Sequence, residues 1–308
     1  MVPGVLWLAS YPKSGNTWVR AFLANYLVNA DSPVSINELP EFVRGDGPKH
    51  YYEEVLGYPI SKPLSPKETQ ELRLIVHEKF AYESQNTTIV KTHNAIAYLD
   101  DIPTINPKAT EGAIYIMRNP LDVALSYAHH YGMTYDKAIE RLASEQNSLG
   151  GTERQVFQFL GSWSEHVRSW VEAPGLKLHV MRYEDMIIDA PVAFAKLVEF
   201  LELPDEPGRC ERAVEFSSFE SLTNQEKSEG FVEAVPAREH PAFLGTELAR
   251  VPQTAKYRGE SRIRFFREGK LGMWRDELSS EQVARIIEDH HEVMSVHGYL
   301  DEKGEPVF

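Results

Sequence analysis

The sequence predicts an α/β fold in which a central parallel sheet is flanked by helices, and three observations carry that prediction. A short apolar run, Val5–Ser10, passes through a tight turn into a stretch of helical period over residues 17–29. Residues 112–117 (GAIYIM) form a continuous apolar run, the pattern of a strand buried on both faces. Apolar runs of strand length then alternate with helical patterns, which calls for parallel strands joined by helical crossovers.

Each element follows in chain order. Residues 17–29 place Trp18, Phe22, Leu23, Tyr26 and Leu27 at helical spacing. Residues 31–66 are rich in Pro, Gly and Tyr without a clean period, and read as loops and short helices capping a site. Residues 67–83 read as a helix, 87–91 as the second strand and 112–117 as the third. Asn119-Pro120 opens a helix to about Tyr131, with Pro in its first turn. Residues 153–171 have helical periodicity, 176–182 read as the fourth strand and 190–201 as another helix. Residues 231–262 are rich in Pro and charge without period, and read as a mobile segment. A closing helix spans 279–294, with Ser279 or Ser280 as N-cap and Glu281 behind it. Without repeats or a linker, residues 1–308 read as one domain.

Composition narrows the function. The 308 residues are 42% hydrophobic and 25% charged, ordinary for a globular chain. The formal net charge of -14 argues against a nucleic-acid-binding surface and against an anionic membrane. A small anionic ligand stays compatible, because a few local cations override the global field. The one cysteine, Cys210, gives no disulfide framework, which fits a cytoplasmic setting. No stretch approaches 18 apolar residues, so no membrane insertion is expected.

The turn Tyr11-Pro12-Lys13-Ser14-Gly15-Asn16-Thr17-Trp18 joins the first strand to the first helix. Such a turn presents backbone N–H groups at a helix N-terminus and binds anions through them and the helix dipole. Lys13 adds a full charge, and Ser14, Asn16 and Thr17 add donors. Lys13 precedes Gly15 and no leading Gly is present, so the order departs from Walker A. The plainer reading is an ordinary strand–helix loop with a solvated lysine. The whole string closely resembles the 5′-phosphosulfate loop of the sulfotransferases that use 3′-phosphoadenosine 5′-phosphosulfate (PAPS) as donor.

Further motifs extend the resemblance. Arg118 ends the strand GAIYIM, where α/β sheets place ligand groups, and Ser126 lies two turns into the following helix. The alternative is a structural Arg118 paired with Asp122. The string resembles the family's 3′-phosphate motif, which implies Arg118 and Ser126 as ligands of that phosphate. Among 11 histidines, His93 ends a strand in Lys91-Thr92-His93, placed to take a proton from an acceptor hydroxyl. Lys91 lies on the same side of the extended chain. His129, His130, His290 and His291 read as surface residues. The string resembles the family's catalytic Lys-Thr-His, and no second His or Cys stands nearby at zinc-ligand spacing.

Residues 265–274 (FFREGKLGMW) are similar to the family's C-terminal glycine loop on the 3′-phosphate, which implies roles for Arg267, Glu268 and Gly269. Glu268 stands where the family has Lys, and its side chain is expected to point away. For the adenine, Trp18, Tyr183, Ser217 and Phe219 match the family's contacts, with core packing as the alternative for each aromatic.

Together the motifs imply a P-loop-like sulfotransferase fold. They imply PAPS as donor, 3′-phosphoadenosine 5′-phosphate (PAP) as product and no metal. The expected mechanism is direct in-line displacement with His93 as base and Lys13 and Lys91 neutralising charge. The acceptor would be a small molecule, walled by residues 37–58, 128–147 and 230–262, with Phe42, Tyr51, Tyr52 and Tyr131 suggesting an apolar or aromatic one. The family's dimerisation signature is not visible at 254–264, which leaves a homo-oligomer open. Two other readings are a P-loop-type kinase and a nucleotide-binding module without chemistry. The kinase reading lacks the acid expected at a strand end.

Overall fold

The computed structural model describes residues 4–83, 87–204, 206–231, 265–266 and 269–308. Arg267, Glu268 and nearly all of the segment expected to be mobile lie outside the described residues. The strands are β1 (Val5–Ser10), β2 (Arg44–Gly45), β3 (Thr88–Thr92), β4 (Tyr98–Leu99), β5 (Ile102–Pro103), β6 (Thr110–Met117), β7 (Ser148–Leu149), β8 (Gln158–Phe159) and β9 (Leu178–Arg182). The first helices are α1 (Asn16–Val28), α2 (Leu39–Phe42), α3 (Lys49–Leu56), α4 (Pro66–Tyr82), α5 (Pro120–Tyr131), α6 (Tyr135–Ala143) and α7 (Trp163–Val171). The chain continues with α8 (Tyr183–Ile188), α9 (Ala190–Phe200), α10 (Arg209–Phe216), α11 (Phe219–Glu229), α12 (Trp274–Glu277) and α13 (Ser280–Val296).

Five strands form one parallel sheet in the order β2-β3-β1-β6-β9. Its faces follow from alternation along each strand. Val5, Trp7 and Ala9 join one core with Ala113, Tyr115 and Met117, while Leu6 and Leu8 join the other with Ile114 and Ile116. Both faces are covered, which is why β1 and the end of β6 read as unbroken apolar runs. Each large side chain buried there contributes about 1.5–3 kcal/mol.

Local chemistry sets the helix ends. Ser65 and Glu68 close a capping box on α4, and Pro66 takes the first turn. The Asn119 side chain accepts from Leu121 N–H to start α5, and Gly132 ends it in the left-handed region. In α13 the box pairs Ser279 with Gln282, one residue beyond the expected Glu281.

Two expectations change. The helical period over 153–171 becomes a helix only from Trp163, because Ser162 and Glu165 form a capping box there. Within residues 153–162 the two-residue strand β8 pairs antiparallel with β7. The segment 31–66, read as loops and short helices, also contributes β2, which pairs with β3 at Arg44 and Gly45. Two residues are too short for a periodic signal.

Candidate active site

The strand order places β1 between β3 and β6, so the chain passes to one side of β1 for β2 and β3 and to the other side for β6 and β9. Ligands of open α/β sheets bind at such a switch point, beyond the carboxyl ends of the strands. Ala9 pairs with Thr92 and Ser10 with Ile116. The residues that follow each strand therefore emerge side by side, and Lys13, Lys91, His93, Arg118 and Ser126 all line one cavity of about 500 Å3.

The turn after β1 is held from beneath. Asn16 Nδ2 donates to the Leu8 carbonyl at 3.1 Å and to Ser10 Oγ at 3.3 Å. Lys13 and Gly15 both take positive φ, 72° and 106°. No side chain among the described residues caps the N-terminus of α1; the Trp18 N–H donates to the Gly15 carbonyl at 3.0 Å, which leaves the Asn16 and Thr17 amides as the donors of the first turn. Ser14 Oγ and Asn16 Oδ1 are buried without a hydrogen-bond partner among the described residues. The Lys13 ammonium rests over the Phe265 ring, 3.9 Å from its centroid.

His93 follows β3. Its Nδ1 lies 2.8 Å from the Ser10 carbonyl, a group that only accepts, so Nδ1 carries the proton of the neutral ring and Nε2 is the basic nitrogen. The His93 N–H donates to Gln158 Oε1 at 3.3 Å, and His166 Nε2 donates to the His93 carbonyl at 3.0 Å. Burial pushes the His166 ring down to about 4 against a smaller opposing effect of that bond, which keeps it neutral.

Arg118 lines the cavity and also makes the pairing with Asp122 weighed as its alternative. Its NH2 lies 3.8 Å from Asp122 Oδ2, its NH1 donates to the Lys13 carbonyl at 3.3 Å, and its guanidinium stacks over Tyr183, 4.3 Å from the centroid. Arg118 Nε is buried with no partner among the described residues. Asp122 also accepts from Gly272 N–H at 3.0 Å and Trp274 N–H at 3.3 Å, which fastens the C-terminal glycine loop to α5. Sequence reasoning weighed Asp122 only as a partner for Arg118. Burial raises the Tyr183 phenol, with Arg118 opposing.

Trp18, Tyr183, Phe219 and Gly269 line the same cavity, as do Gly15, Asn16 and Thr17. Trp18 meets Tyr183 edge to face at 5.9 Å. Gly269, at φ 62°, approaches Phe219 so closely that an added Cβ would stand 2.6 Å from its ring. Ser217 is not brought to the lining: it is buried at the end of α10, and its hydroxyl donates to the Ala213 carbonyl at 2.7 Å. Ser14, within the turn itself, is buried and is not brought to the lining.

The other wall differs from expectation. Tyr131 lines the cavity, but Phe42, Tyr51 and Tyr52 do not. Tyr52 is fully buried and donates to the Asp46 carbonyl, Tyr51 packs edge-on against Phe80, and Phe42 packs into the core. In their place stand Gly45–Pro48 and the polar side chains Thr152, Arg154, Gln155 and Gln158. The misread helical period over 153–162 hid that second group. Two histidine expectations are corrected as well. His129 and His130 are half-buried in the cavity wall, because α5 runs along it. His290 is buried on the inner face of α13, its Nδ1 2.9 Å from Ser164 Oγ, and burial lowers it to about 4.

No helix among the described residues is long and apolar enough to cross a membrane. Among those residues no three His, Cys, Asp or Glu side chains cluster as a metal site requires.

The family model described as a sulfotransferase domain matches residues 3–298. Rat sulfotransferase 1 family member D1 is 24% identical over 299 residues, covering 94% of this chain and 82% of that protein. Arabidopsis thaliana cytosolic sulfotransferase 17 is 25% identical over 315 residues, covering 98% and 77%. The crystal structure of retinol dehydratase with androsterone and inactive cofactor PAP superposes with a TM-score of 0.59 at 18% identity, over 96% of this chain and 81% of that one. At that identity the superposition shows a shared fold. The resemblance read from the motifs is borne out by the family match.

Proposed function

The chain belongs to the sulfotransferase domain family, an enzyme family of sulfuryl transfer, and we propose that it moves the sulfuryl group from PAPS to a hydroxyl or amine of a small molecule, releasing PAP. The observation that carries this reading is the convergence of the Lys13 turn, Lys91 with His93, and Arg118 with Ser126 on one cavity. The buried polar atoms of Trp18 and Arg118 that have no partner among the described residues suit a polyanionic nucleotide. The fold shared with a PAP-bound structure supports the donor.

In the proposed step His93 Nε2 takes the acceptor proton while the acceptor oxygen forms a bond to sulfur. The bond from sulfur to the bridging oxygen breaks, and its electron pair leaves with PAP. Lys13 and the α1 amides stabilise the bridging oxygen, and Lys91 neutralises the sulfuryl oxygens. Catalysis is positioning plus preorganised charge. Trp18, Tyr183 and Phe219 hold the base, and Arg118 with Ser126 reads the 3′-phosphate. Gly269, in the cavity lining, completes that contact from the glycine loop, and the family resemblance adds Arg267 to it. Residues 1–308 act as one domain, in the cytoplasm, without metal.

The test is transfer of label from sulfur-labelled PAPS to a panel of phenols, alcohols and amines in excess EDTA. Labelled product with release of PAP is expected. Strict dependence on Mg2+ and ATP would select the kinase, and tight PAP binding without transfer to any acceptor would select the module without chemistry.

A further inference from the structure

Asp46 is a buried carboxylate in the cavity wall that none of the motifs includes. It follows β2 and is 1% exposed. Its contacts converge on the turn that carries His93. The Asp46 N–H donates to the Lys91 carbonyl at 3.0 Å. Asp46 Oδ2 accepts from Thr92 Oγ1 and from Asn94 Nδ2, each at 2.8 Å. One residue thus bonds to residues 91, 92 and 94, on both sides of His93.

The neighbours complete the frame. Asn94 Oδ1 accepts from the Phe159 N–H at 2.9 Å, and Trp170 Nε1 donates to the Asn94 carbonyl at 3.0 Å. Behind the carboxylate stand His77, with Nε2 3.8 Å from Oδ2, and Arg73. Burial alone would raise the Asp46 carboxyl, but His77, Arg73 and Thr92 together hold it below its usual range. It therefore stays an acceptor of hydrogen bonds throughout the neutral range.

We propose that Asp46 is a positioning residue for sulfuryl transfer: by bonding to residues 91, 92 and 94 it fixes where His93 and Lys91 enter the cavity. This rests on the proposed function. A strand end is free to shift unless something outside the strand holds it, and a misplacement of about 1 Å at a reacting group costs about 10²-fold in rate. The β2 strand is too short to supply that hold through its own ladder. Asp46 supplies it through side-chain acceptance.

The experiment compares Asp46→Ala, Asp46→Asn and Thr92→Val, using labelled PAPS for turnover and PAP calorimetry for the donor site. Rates are taken per folded enzyme, and the His93 ring signal is followed by NMR on histidine-labelled protein. Asp46→Ala is expected to lower kcat by about 10²-fold, with donor KM and PAP affinity unchanged and the His93 signal moved. Asp46→Asn keeps an oxygen that accepts both bonds and should recover most of kcat. Thr92→Val should lower kcat in the same sense, and it decides the matter if Asp46→Ala does not fold. A kcat per folded enzyme that matches wild type in both Asp46→Ala and Thr92→Val overturns the proposal, as does an unmoved His93 signal. Asp46→Asn as damaging as Asp46→Ala overturns it too, because charge and not positioning would then be the cause. The NMR arm needs no turnover, so an inactive wild type sinks the proposed function while Asp46 is still tested.

Discussion

Lys13 shows how much one residue is asked to do. Its backbone sits at φ 72°, a conformation that costs a residue with a Cβ about 1 kcal/mol or more. In return its carbonyl meets Arg118 and its ammonium lies on the Phe265 face. His93 is oriented by the Ser10 carbonyl, which leaves Nε2 as the nitrogen proposed to take the acceptor proton. Replacing His93 with Ala should lower turnover by about 10²–10⁴-fold, while calorimetry shows PAP bound as in wild type; near-normal turnover in the folded variant would contradict the assignment. Residues that line the cavity were legible in the sequence where they stand at a fixed offset from a strand end, as with Lys13, His93 and Arg118. They were not legible where the role depends on a contact distant in the chain. Asp46 bonds to Thr92 and Asn94, and Gln158 to His93, through pairings no local pattern records.

At the scale of elements, the turn between β1 and α1 depends on Gly15. Its φ of 106° is open to glycine, and an added Cβ would stand 2.7 Å from the Tyr183 ring. Gly15→Ala should therefore destabilise the fold by about 1–3 kcal/mol and weaken PAP binding, because the displaced Tyr183 leaves Arg118 unstacked. Thermal melts and PAP titration check both, and unchanged PAP affinity would separate the turn from the donor site. Elements with a strong local signal were legible: β1, β3, β6 and β9 fall on the stretches read as strands, and α1, α4, α5 and α13 on the stretches read as helices. The helix expected over 153–171 failed because a helical spacing of apolar residues also arises by chance in an extended segment. The capping box at Ser162 and Glu165 is the signal that would have placed its start.

Across the whole molecule, buried histidines tie stability to pH. His166 and His290 are lowered to about 4, so the folded chain holds them neutral while the unfolded chain protonates them near 6.5. The unfolded state binds more protons between those values, and stability falls as pH drops from about 6.5 toward 4, by about 2 kcal/mol for each ring at pH 5. Melting temperature should therefore fall between pH 7 and pH 5, and His290→Gln should flatten that fall; an unchanged slope would contradict the burial argument. The net charge of -14 gives no hint of this local cluster of cations, because Lys13, Lys91 and Arg118 are gathered by the switch point of the sheet. We propose that this gathering reads a 3′-phosphorylated nucleotide. Calorimetric titration of PAP and AMP into wild type and Arg118→Ala tests it most directly. Charge-assisted hydrogen bonds contribute about 1.5–3 kcal/mol each, so two of them give PAP an advantage of roughly 10²–10⁴ over AMP. Arg118→Ala should erase most of that advantage with the fold intact. Equal affinity for PAP and AMP in wild type would contradict the account.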